Sequence, residues 1–405
     1  LYPEDSALYS KKGHINSLLN NGLEAFNDYT KSLKLNPKES SAYFTQINFK
    51  NRLNDVGIIN QQEFMSKDEI LGIFNMWVEN EKNNAIALQE RARYFNWFLN
   101  DPDSALDDLY TALDIIQNPE NHIFSKHNYI FFNDGENFSE YLFSTIYINL
   151  AYVLIEKKKF DEAMNFANKS IVRENSLNNV SGWGYYAKGQ IYEMQNMPDE
   201  AKKFYSMSAK EMPDEVFPTT RIAAISNSQG DYKAALNLFN KMVDMTKNQD
   251  PEIAELPLVL RSIFNYNQGN RLEALQDLYY VEYVLNSKNN FTSSGYKFVP
   301  LIKGMIFKDL GSYDLARKEI KKYFSQWKDF YKNILDIKNN NEYERLWFEN
   351  LLNLNDLDIR HPTFYKAVYS DYTENEFLDI SKPWFGDRNL SVEIKKLFSN
   401  KTNEN

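Results

Sequence analysis

Apolar residues recur along the chain at the three- and four-residue spacing of amphipathic helices, in paired segments separated by short polar turns. Five consecutive pairs share one plan: a first helix, a turn, and a second helix that opens near an alanine and carries aromatic rings. These opening alanines follow one another at steps of 38, 34, 39 and 42 residues: Ala163, Ala201, Ala235, Ala274 and Ala316. The pattern predicts an all-α fold of stacked helical hairpins.

Small residues on the first helices should let the two helices of each pair approach closely. They are Ala151, Gly189, Ala223 and Gly304. An aromatic ring in the turn is expected to fill the gap between successive hairpins, and burying a ring contributes about 1.5–3 kcal/mol. These rings are Phe160, Tyr232 and Tyr313. Since one hairpin buries too little surface to fold alone, several must stack.

Two weaker pairs precede these five. Residues 22–37 have the second-helix spacing, with Ala25 as the opening alanine and Gly13 as the small residue of the first helix. Residues 94–119 offer Ala105 as the opening alanine, but the first helix of this pair shows no small residue. We count both as divergent hairpins.

The segment from Tyr185 to Pro213 carries the most complete pattern. Its residues at the diagnostic spacing are Gly189, Tyr192, Ala201, Tyr205 and Pro213. With this period and these positions the chain resembles the tetratricopeptide repeat family, most clearly over residues 145–328 and more weakly over 8–37 and 86–119. The resemblance implies a right-handed superhelix of helix-turn-helix repeats, followed here by an atypical C-terminal capping region.

Three regions follow from this pattern. Residues 1–140 form an N-terminal helical region with divergent repeats, and residues 141–328 form the superhelix. Residues 329–405 begin as helix, become irregular, and end in a polar tail that we expect to be disordered.

Composition excludes several kinds of chemistry. The chain has no cysteine, so it has neither a thiolate nucleophile nor a disulfide framework, and its four histidines are too few for a histidine metal cage. Lys and Arg number 46 against 56 Asp and Glu, giving a net charge of -10 that argues against nucleic-acid binding. We predict no metal and no cofactor.

The remaining candidates for catalysis have simpler explanations. The acid pairs Asp107–Asp108, Asp161–Glu162 and Asp199–Glu200 flank second-helix starts, where carboxylates stabilise the helix dipole. His122 and His127 lie in a polar segment and are interpreted as surface residues. Four tryptophans at helical apolar positions are interpreted as core: Trp77, Trp97, Trp327 and Trp347. We therefore predict that the protein is not an enzyme.

In tetratricopeptide repeat proteins the first helices line a concave groove that binds protein partners, and the resemblance implies the same surface here. The residues at the inward positions of three central repeats are Tyr152, Trp183, Tyr186, Gln190, Met194, Phe217, Arg221 and Asn227. Aromatic rings around an arginine have the composition of a binding hot spot. We predict a non-catalytic scaffold or adaptor that binds protein partners in this groove.

The alternative is a protein that binds glycans or another small ligand by stacking its aromatic rings. Its ligand site would be built by the insertion at 118–140 or by the C-terminal stretch 371–389. A glycan array would separate the two hypotheses.

The compartment is predicted from weaker signals. No apolar stretch reaches the roughly 18 residues of a membrane span. The chain begins at Leu1 rather than Met, which suggests a removed leader, and its Asn, Lys, Ile and Phe bias suggests an AT-rich bacterial genome. We favour the periplasm over the cytoplasm, in an envelope or flagellar-motor complex, with membrane attachment only if the leader carried a lipid anchor.

Overall fold

The computed structural model describes residues 5–18, 22–37, 67–99, 101–118, 135–176, 181–246, 251–287, 299–320 and 322. Within these residues the chain forms helices joined by turns and contains no strand, which confirms the all-α prediction. The helices are α1 (Ser6–Leu18), α2 (Gly22–Leu35), α3 (Lys67–Asn80), α4 (Ala85–Leu99), α5 (Pro102–Gln117), α6 (Gly135–Glu156), α7 (Phe160–Ser176), α8 (Trp183–Met194), α9 (Pro198–Glu211), α10 (Val216–Ser228), α11 (Tyr232–Thr246), α12 (Pro251–Asn267), α13 (Arg271–Ser287), α14 (Val299–Asp309) and α15 (residues 313–320).

The chain divides into two compact units, a first unit of Leu1–Pro218 and a second unit of Thr219–Asn405. The three regions predicted from sequence stay a prediction, and the proposed cap at 329–405 lies outside the described residues. None of the described helices combines the length and the apolar composition that crossing a membrane requires.

The helices pack in the order that a stack of hairpins requires. In the first unit, α4 pairs with α5, α6 with α7, and α8 with α9. The first helices of these hairpins also contact one another, α4 against α6 and α6 against α8. In the second unit, α12 pairs with α13 and also contacts α14. Each of these first helices therefore buries one side against the second helix of its own hairpin and another side against the first helix of a neighbouring hairpin.

Close packing within the hairpins follows the predicted small-residue positions. All seven opening alanines are 0% exposed: Ala25, Ala105, Ala163, Ala201, Ala235, Ala274 and Ala316. A Cβ added at Gly189 would lie 2.6 Å from the ring of Tyr205, and one at Gly304 would lie 2.5 Å from Ile320. These distances are too short for real contacts, so only glycine allows the second helix to come this close.

The small residue that the sequence did not reveal in the α4–α5 hairpin is Ala92, which is 1% exposed. It precedes Ala105 by one residue more than Gly189 precedes Ala201, so this hairpin has a longer connection. The residue was missed because a one-residue insertion shifts the first helix out of the expected spacing.

The turns between the helices of five hairpins share a left-handed residue five positions before the opening alanine. Three of these residues are glycines with φ of 75° to 81°, and two are Lys158 and Asn196 with φ of 58°. The left-handed residue ends the first helix, which is the usual conformation of a helix C-terminus. The expected role of the turn rings is wrong for two of the three, because Tyr232 is 51% exposed and Tyr313 is 47% exposed.

A cation directly precedes the small residue on the first helix of five hairpins: Lys12, Arg91, Lys188, Arg261 and Lys303. Each one reaches the side chain three residues after the opening alanine of the same hairpin. Four of these partners are carboxylates, in the ion pairs Lys12–Asp28 at 2.8 Å, Arg91–Asp108 at 2.7 Å, Arg261–Asp277 at 2.7 Å and Lys303–Glu319 at 3.2 Å. The fifth is the ring of Phe204, whose centroid lies 4.3 Å from Lys188 Nζ.

Four of these cations also reach a polar side chain on the preceding helix. Arg91 donates to Asn75, Lys188 to Asn168, Arg261 to Asn240 and Lys303 to Glu282, at 2.8–3.0 Å. We call all five residues the stitching cations: these four connect their own hairpin to the helix before it, and Lys12 connects α1 to α2. Position in the repeat, rather than local sequence, brings the partners together.

The stitching cations also correct one interpretation of the acid pairs. Asp108 does not complement a helix start, because it is buried within α5 and accepts two hydrogen bonds from Arg91. Asp101 caps α5 instead, by accepting from the backbone N–H of Ser104. The pairs at 161–162 and 199–200 do lie in the first turns of α7 and α9, as predicted.

Candidate partner-binding face

The predicted groove residues lie on three first helices. Tyr152 is on α6, and four residues line one side of α8: Trp183, Tyr186, Gln190 and Met194. The ring of Trp183 contacts Tyr186 edge-on at 5.5 Å and approaches Phe217, at the start of α10, at 6.3 Å. Tyr152, Trp183 and Met194 all pack against one hydrophobic core cluster of the first unit.

The exposure of these residues divides them into two groups. Three are buried, with Tyr186 at 3%, Gln190 at 2% and Arg221 at 2% exposed. Tyr186 packs against Tyr205 of α9 at 5.3 Å, so its ring holds the hairpin together. The others are partly exposed: Tyr152, Trp183, Met194, Phe217 and Asn227. Contact with a partner therefore remains a prediction, best supported for the partly exposed members.

The predicted set is also divided between the two units. Six of its members lie in the first unit, while Arg221 and Asn227 belong to the second. The structure brings together the predicted residues of the first unit, and Trp183 lies at their centre.

Further side chains at the same repeat positions lie on α4, which the sequence prediction did not include. The guanidinium of Arg93 lies 4.2 Å from the centroid of the Trp97 ring. Arg93 also pairs with Glu90 at 3.2 Å, and its side chain stays 39% exposed. An arginine stacked on an indole is held in a fixed orientation, which suits recognition of a partner.

Tyr141, near the start of α6, extends this surface and is 43% exposed. Partial burial raises the pKa of its phenol; nearby Arg93 opposes that shift, and Glu90 adds to it. Two hydrogen bonds fix α4 against α6: Thr145 donates to Gln89 at 3.0 Å, and Asn96 donates to Glu156 at 2.9 Å. The surface is therefore built on helices that are held rigidly together.

We define the first-helix face as the partly exposed side chains of α4, α6, α8 and the start of α10 that lie in the first unit. Its members are Arg93, Trp97, Tyr141, Tyr152, Trp183, Met194 and Phe217. Among the residues that the structure describes, no three His, Asp or Glu side chains form a group that could hold a metal ion. What the face offers is aromatic area, one arginine and hydrogen-bonding groups.

Comparison with known proteins supports the repeat. The model of the tetratricopeptide repeat family matches residues 144–172, which cover the second part of α6 and most of α7. The chain therefore contains a tetratricopeptide repeat at these residues. No curated protein sequence matches it significantly.

Solved structures with a similar helical arrangement are distant. A tetratricopeptide repeat protein from Parabacteroides merdae shares 16% identity with a TM-score of 0.45, over 73% of this chain and 98% of that one. The type IV pilus biogenesis factor PilW shares 11% identity with a TM-score of 0.43, over 60% and 93%. PilF of Pseudomonas aeruginosa shares 13% identity with a TM-score of 0.41, over 60% and 93%.

The repeat positions show which residues of the candidate face were not predicted from the sequence. Tyr152 lies eleven residues before its opening alanine, and Arg93 holds the same place once the longer connection of α4–α5 is allowed for. Trp97, expected in the core, is partly exposed beneath Arg93, whereas Trp77 is buried at 2% as predicted. The sequence feature that could have identified Arg93 and Trp97 is a tryptophan four residues after an arginine on a first helix. Trp327 and Trp347 lie outside the described residues.

Proposed function

We propose that this tetratricopeptide-repeat protein is a non-catalytic scaffold that binds a protein partner on the first-helix face. One observation carries the proposal: the consecutive first helices α4, α6 and α8 of one unit each present partly exposed rings, and α4 adds an arginine. Exposed second-helix positions of the same unit are mostly polar, for example Asp107, Asn168 and Lys203. Tyrosine, tryptophan and arginine are the residues that most often dominate the energy of protein interfaces.

The rigidity of the face favours binding without rearrangement. Tyr152, Trp183 and Met194 pack on one core cluster, and the hydrogen bonds between α4 and α6 hold these two helices in position. Binding to a preformed surface loses little conformational entropy. A partner would therefore be recognised by the spacing of rings along the face.

A photocrosslinking experiment tests this proposal. The photoreactive residue p-benzoylphenylalanine would replace Trp183 in the full chain in its native cells, and crosslinked proteins would be identified by mass spectrometry. The matched control places it at Tyr110, a 41% exposed ring on the second helix α5. We expect a defined protein partner at position 183 and none at position 110. Equal products at the two positions, or none at position 183, would contradict the proposal.

The finer context belongs to the same proposal. We place the scaffold in the bacterial periplasm, in an envelope or flagellar-motor assembly, on the compositional grounds given above. Fractionation of native cells tests the compartment, and recovery of the protein from the cytosol alone would contradict the periplasmic assignment. The segments expected to build a sugar site lie mostly outside the described residues, and the scaffold should give no signal on a glycan array.

A further inference from the structure

Near the C-terminal end of α7 lies a buried carboxylate that the proposed function does not yet use. Glu174 is 3% exposed, and its Oε1 accepts hydrogen bonds from Ser144 at 2.8 Å and from Ser181 at 2.5 Å. The hydroxyl of Ser170 lies 3.2 Å from the same oxygen. Three serines thus converge on one carboxylate oxygen: one from α6, one from α7, and one that lies two residues before the start of α8.

A carboxylate in this place is unfavourable by itself. Burying an ionised group without a cation destabilises a protein, and the side-chain partners of Glu174 among the described residues are serine hydroxyls. A negative charge in the last turns of α7 also opposes the helix dipole. Five other hairpins have no acid eleven residues after the opening alanine, where α7 has Glu174: the residues there are Asn36, Ile116, Met212, Thr246 and Leu285. The repeat itself therefore does not require an acid here.

The start of α8 gives the carboxylate a role. Gly182 precedes the helix in the left-handed conformation with φ of 76°, and no side chain caps the helix at this residue. Glu174 binds the hydroxyl of Ser181, the residue immediately before Gly182. A carboxylate next to a helix N-terminus is stabilised by the dipole, so the charge that is unfavourable for α7 is favourable for α8.

Ser181 and Gly182 together determine where α8 begins. A Cβ added at Gly182 would lie 2.8 Å from Met212 and 3.1 Å from the carbonyl oxygen of Ser208, so this turn is pressed against the end of α9. The next residue is Trp183, the central ring of the first-helix face. The turn directly before the indole is therefore held by α9 on one side and by Glu174 on the other.

We propose that Glu174, acting through Ser181, is a positioning residue for Trp183 and so sets the geometry of the partner-binding surface. The proposal rests on the proposed function, since Trp183 is the anchor of that surface. Glu174 itself does not contact the partner. It holds the start of α8, and the start of α8 holds the indole.

The test uses fluorine NMR on the full chain labelled with 5-fluorotryptophan, without any partner. The six tryptophans should give six signals, and the signal absent from Trp183→Phe belongs to Trp183. Ser181→Ala removes the hydroxyl between Glu174 and α8. We expect it to shift the Trp183 signal by more than its line width, while the signal of Trp77, a core residue of another helix, stays in place.

Ser144→Ala is the matched control, because it removes a hydroxyl from the same carboxylate oxygen but on α6. A role limited to stability would affect both variants alike. We expect the Trp183 signal to stay within its line width in Ser144→Ala; equal shifts in the two variants, or no shift in Ser181→Ala, would overturn the proposal. Since no partner is present, this result is independent of crosslinking at position 183, and either proposal can fail without the other.

Discussion

The hairpins α8–α9 and α12–α13 place different chemistry at the same repeat positions. In α8–α9 the small residue is Gly189, packed against Tyr205, and the stitching cation Lys188 lies over the ring of Phe204. In α12–α13 the equivalent small residue is Ser262, and the stitching cation Arg261 forms a two-pronged ion pair with Asp277. Aromatic rings therefore hold the two helices of α8–α9 together, which makes it the ring-closed hairpin, whereas an ion pair holds the two helices of α12–α13 together.

The difference shows what the repeat fixes and what it leaves open. Both hairpins bring the same two positions together, one directly before the small residue and one three residues after the opening alanine. The backbone geometry sets that proximity, whereas the side chains need only complement each other in volume and charge. Hairpins with equal geometry should therefore respond very differently to the loss of one partner.

The largest effect is expected from Asp277→Ala. Its side chain is 8% exposed and that of Arg261 is 22% exposed, so the variant leaves a largely buried guanidinium without its carboxylate. We expect the free energy of unfolding, measured in urea, to fall by about 3 kcal/mol. Asp244→Ala, which removes an exposed acid from the neighbouring helix α11, is the control and should change it by less than about 0.5 kcal/mol.

The double variant Arg261→Met with Asp277→Leu sharpens this expectation. Replacing both members of a buried pair by apolar residues of similar size removes the unpaired charge, so most of the lost stability should return. If the double variant is no more stable than Asp277→Ala, the loss arises from packing and the charge argument is wrong.

The sequence predicted the hairpins well because their signal is periodic and local. Opening alanines and small residues recur at fixed spacing, and the structure buries all of them. The ion pairs were not predictable in the same way, since Arg261 and Asp277 are separated by 16 residues and belong to different helices. Only the packed hairpin shows that their positions coincide, and Asp108 was misread as a helix-dipole residue for that reason.

A second large effect is expected in the ring-closed hairpin from Gly189→Ala. The new Cβ would lie 2.6 Å from the ring of Tyr205, and the helices must separate to relieve this contact. We expect thermal unfolding to report a loss of about 1–3 kcal/mol. Gly72→Ala is the control, because nothing lies within 4 Å of its added Cβ and helix propensity should stabilise it by up to about 1 kcal/mol.

Combining Gly189→Ala with Tyr205→Leu reproduces the volumes of the other hairpin, where Ser262 and Leu278 hold these positions and are both 0% exposed. The combined loss should be smaller than the sum of the two single losses, since the alanine no longer meets a ring. Additive losses would show that close approach does not depend on this pair.

The turns of the two hairpins predict an intermediate effect. Gly269 and Asn196 hold equivalent left-handed positions, with φ of 81° and 58°. Gly269→Ala should destabilise by about 1 kcal/mol, because its Cβ meets only an arginine nitrogen at 4.0 Å and the backbone conformation alone is strained. Asn196→Gly should change stability by no more than about 0.5 kcal/mol, since asparagine tolerates this conformation. Thermal unfolding of both variants checks the pair.

The candidate site was less predictable than the fold. Repeat positions selected Trp183 and Tyr152, which the structure leaves partly exposed on first helices, but the same rule selected Tyr186 and Gln190, which are buried. Spacing defines the side of a helix, whereas exposure depends on the size of the neighbours, here Tyr205 against Tyr186. Arg93 and Trp97 were missed because the groove was predicted from three central repeats only, and α4 belongs to a divergent hairpin with one additional residue in its connection.

The smallest effect is expected from Lys188→Met, the counterpart of disrupting the Arg261 pair. Lys188 has a ring and an amide as partners rather than a carboxylate, and burial, followed by the charge of Lys203, lowers its pKa. Methionine keeps the apolar stem, so at pH 7 stability should stay within about 0.5 kcal/mol of the original protein.

Because the pKa of Lys188 in the folded protein lies below its value in the unfolded chain, the folded chain binds fewer protons at alkaline pH. The original protein should therefore gain stability relative to the variant as pH rises through the folded pKa of Lys188. Urea unfolding at pH 7 and at alkaline pH measures this difference, and a loss at pH 7 as large as that of Asp277→Ala would contradict the distinction between ring and charge.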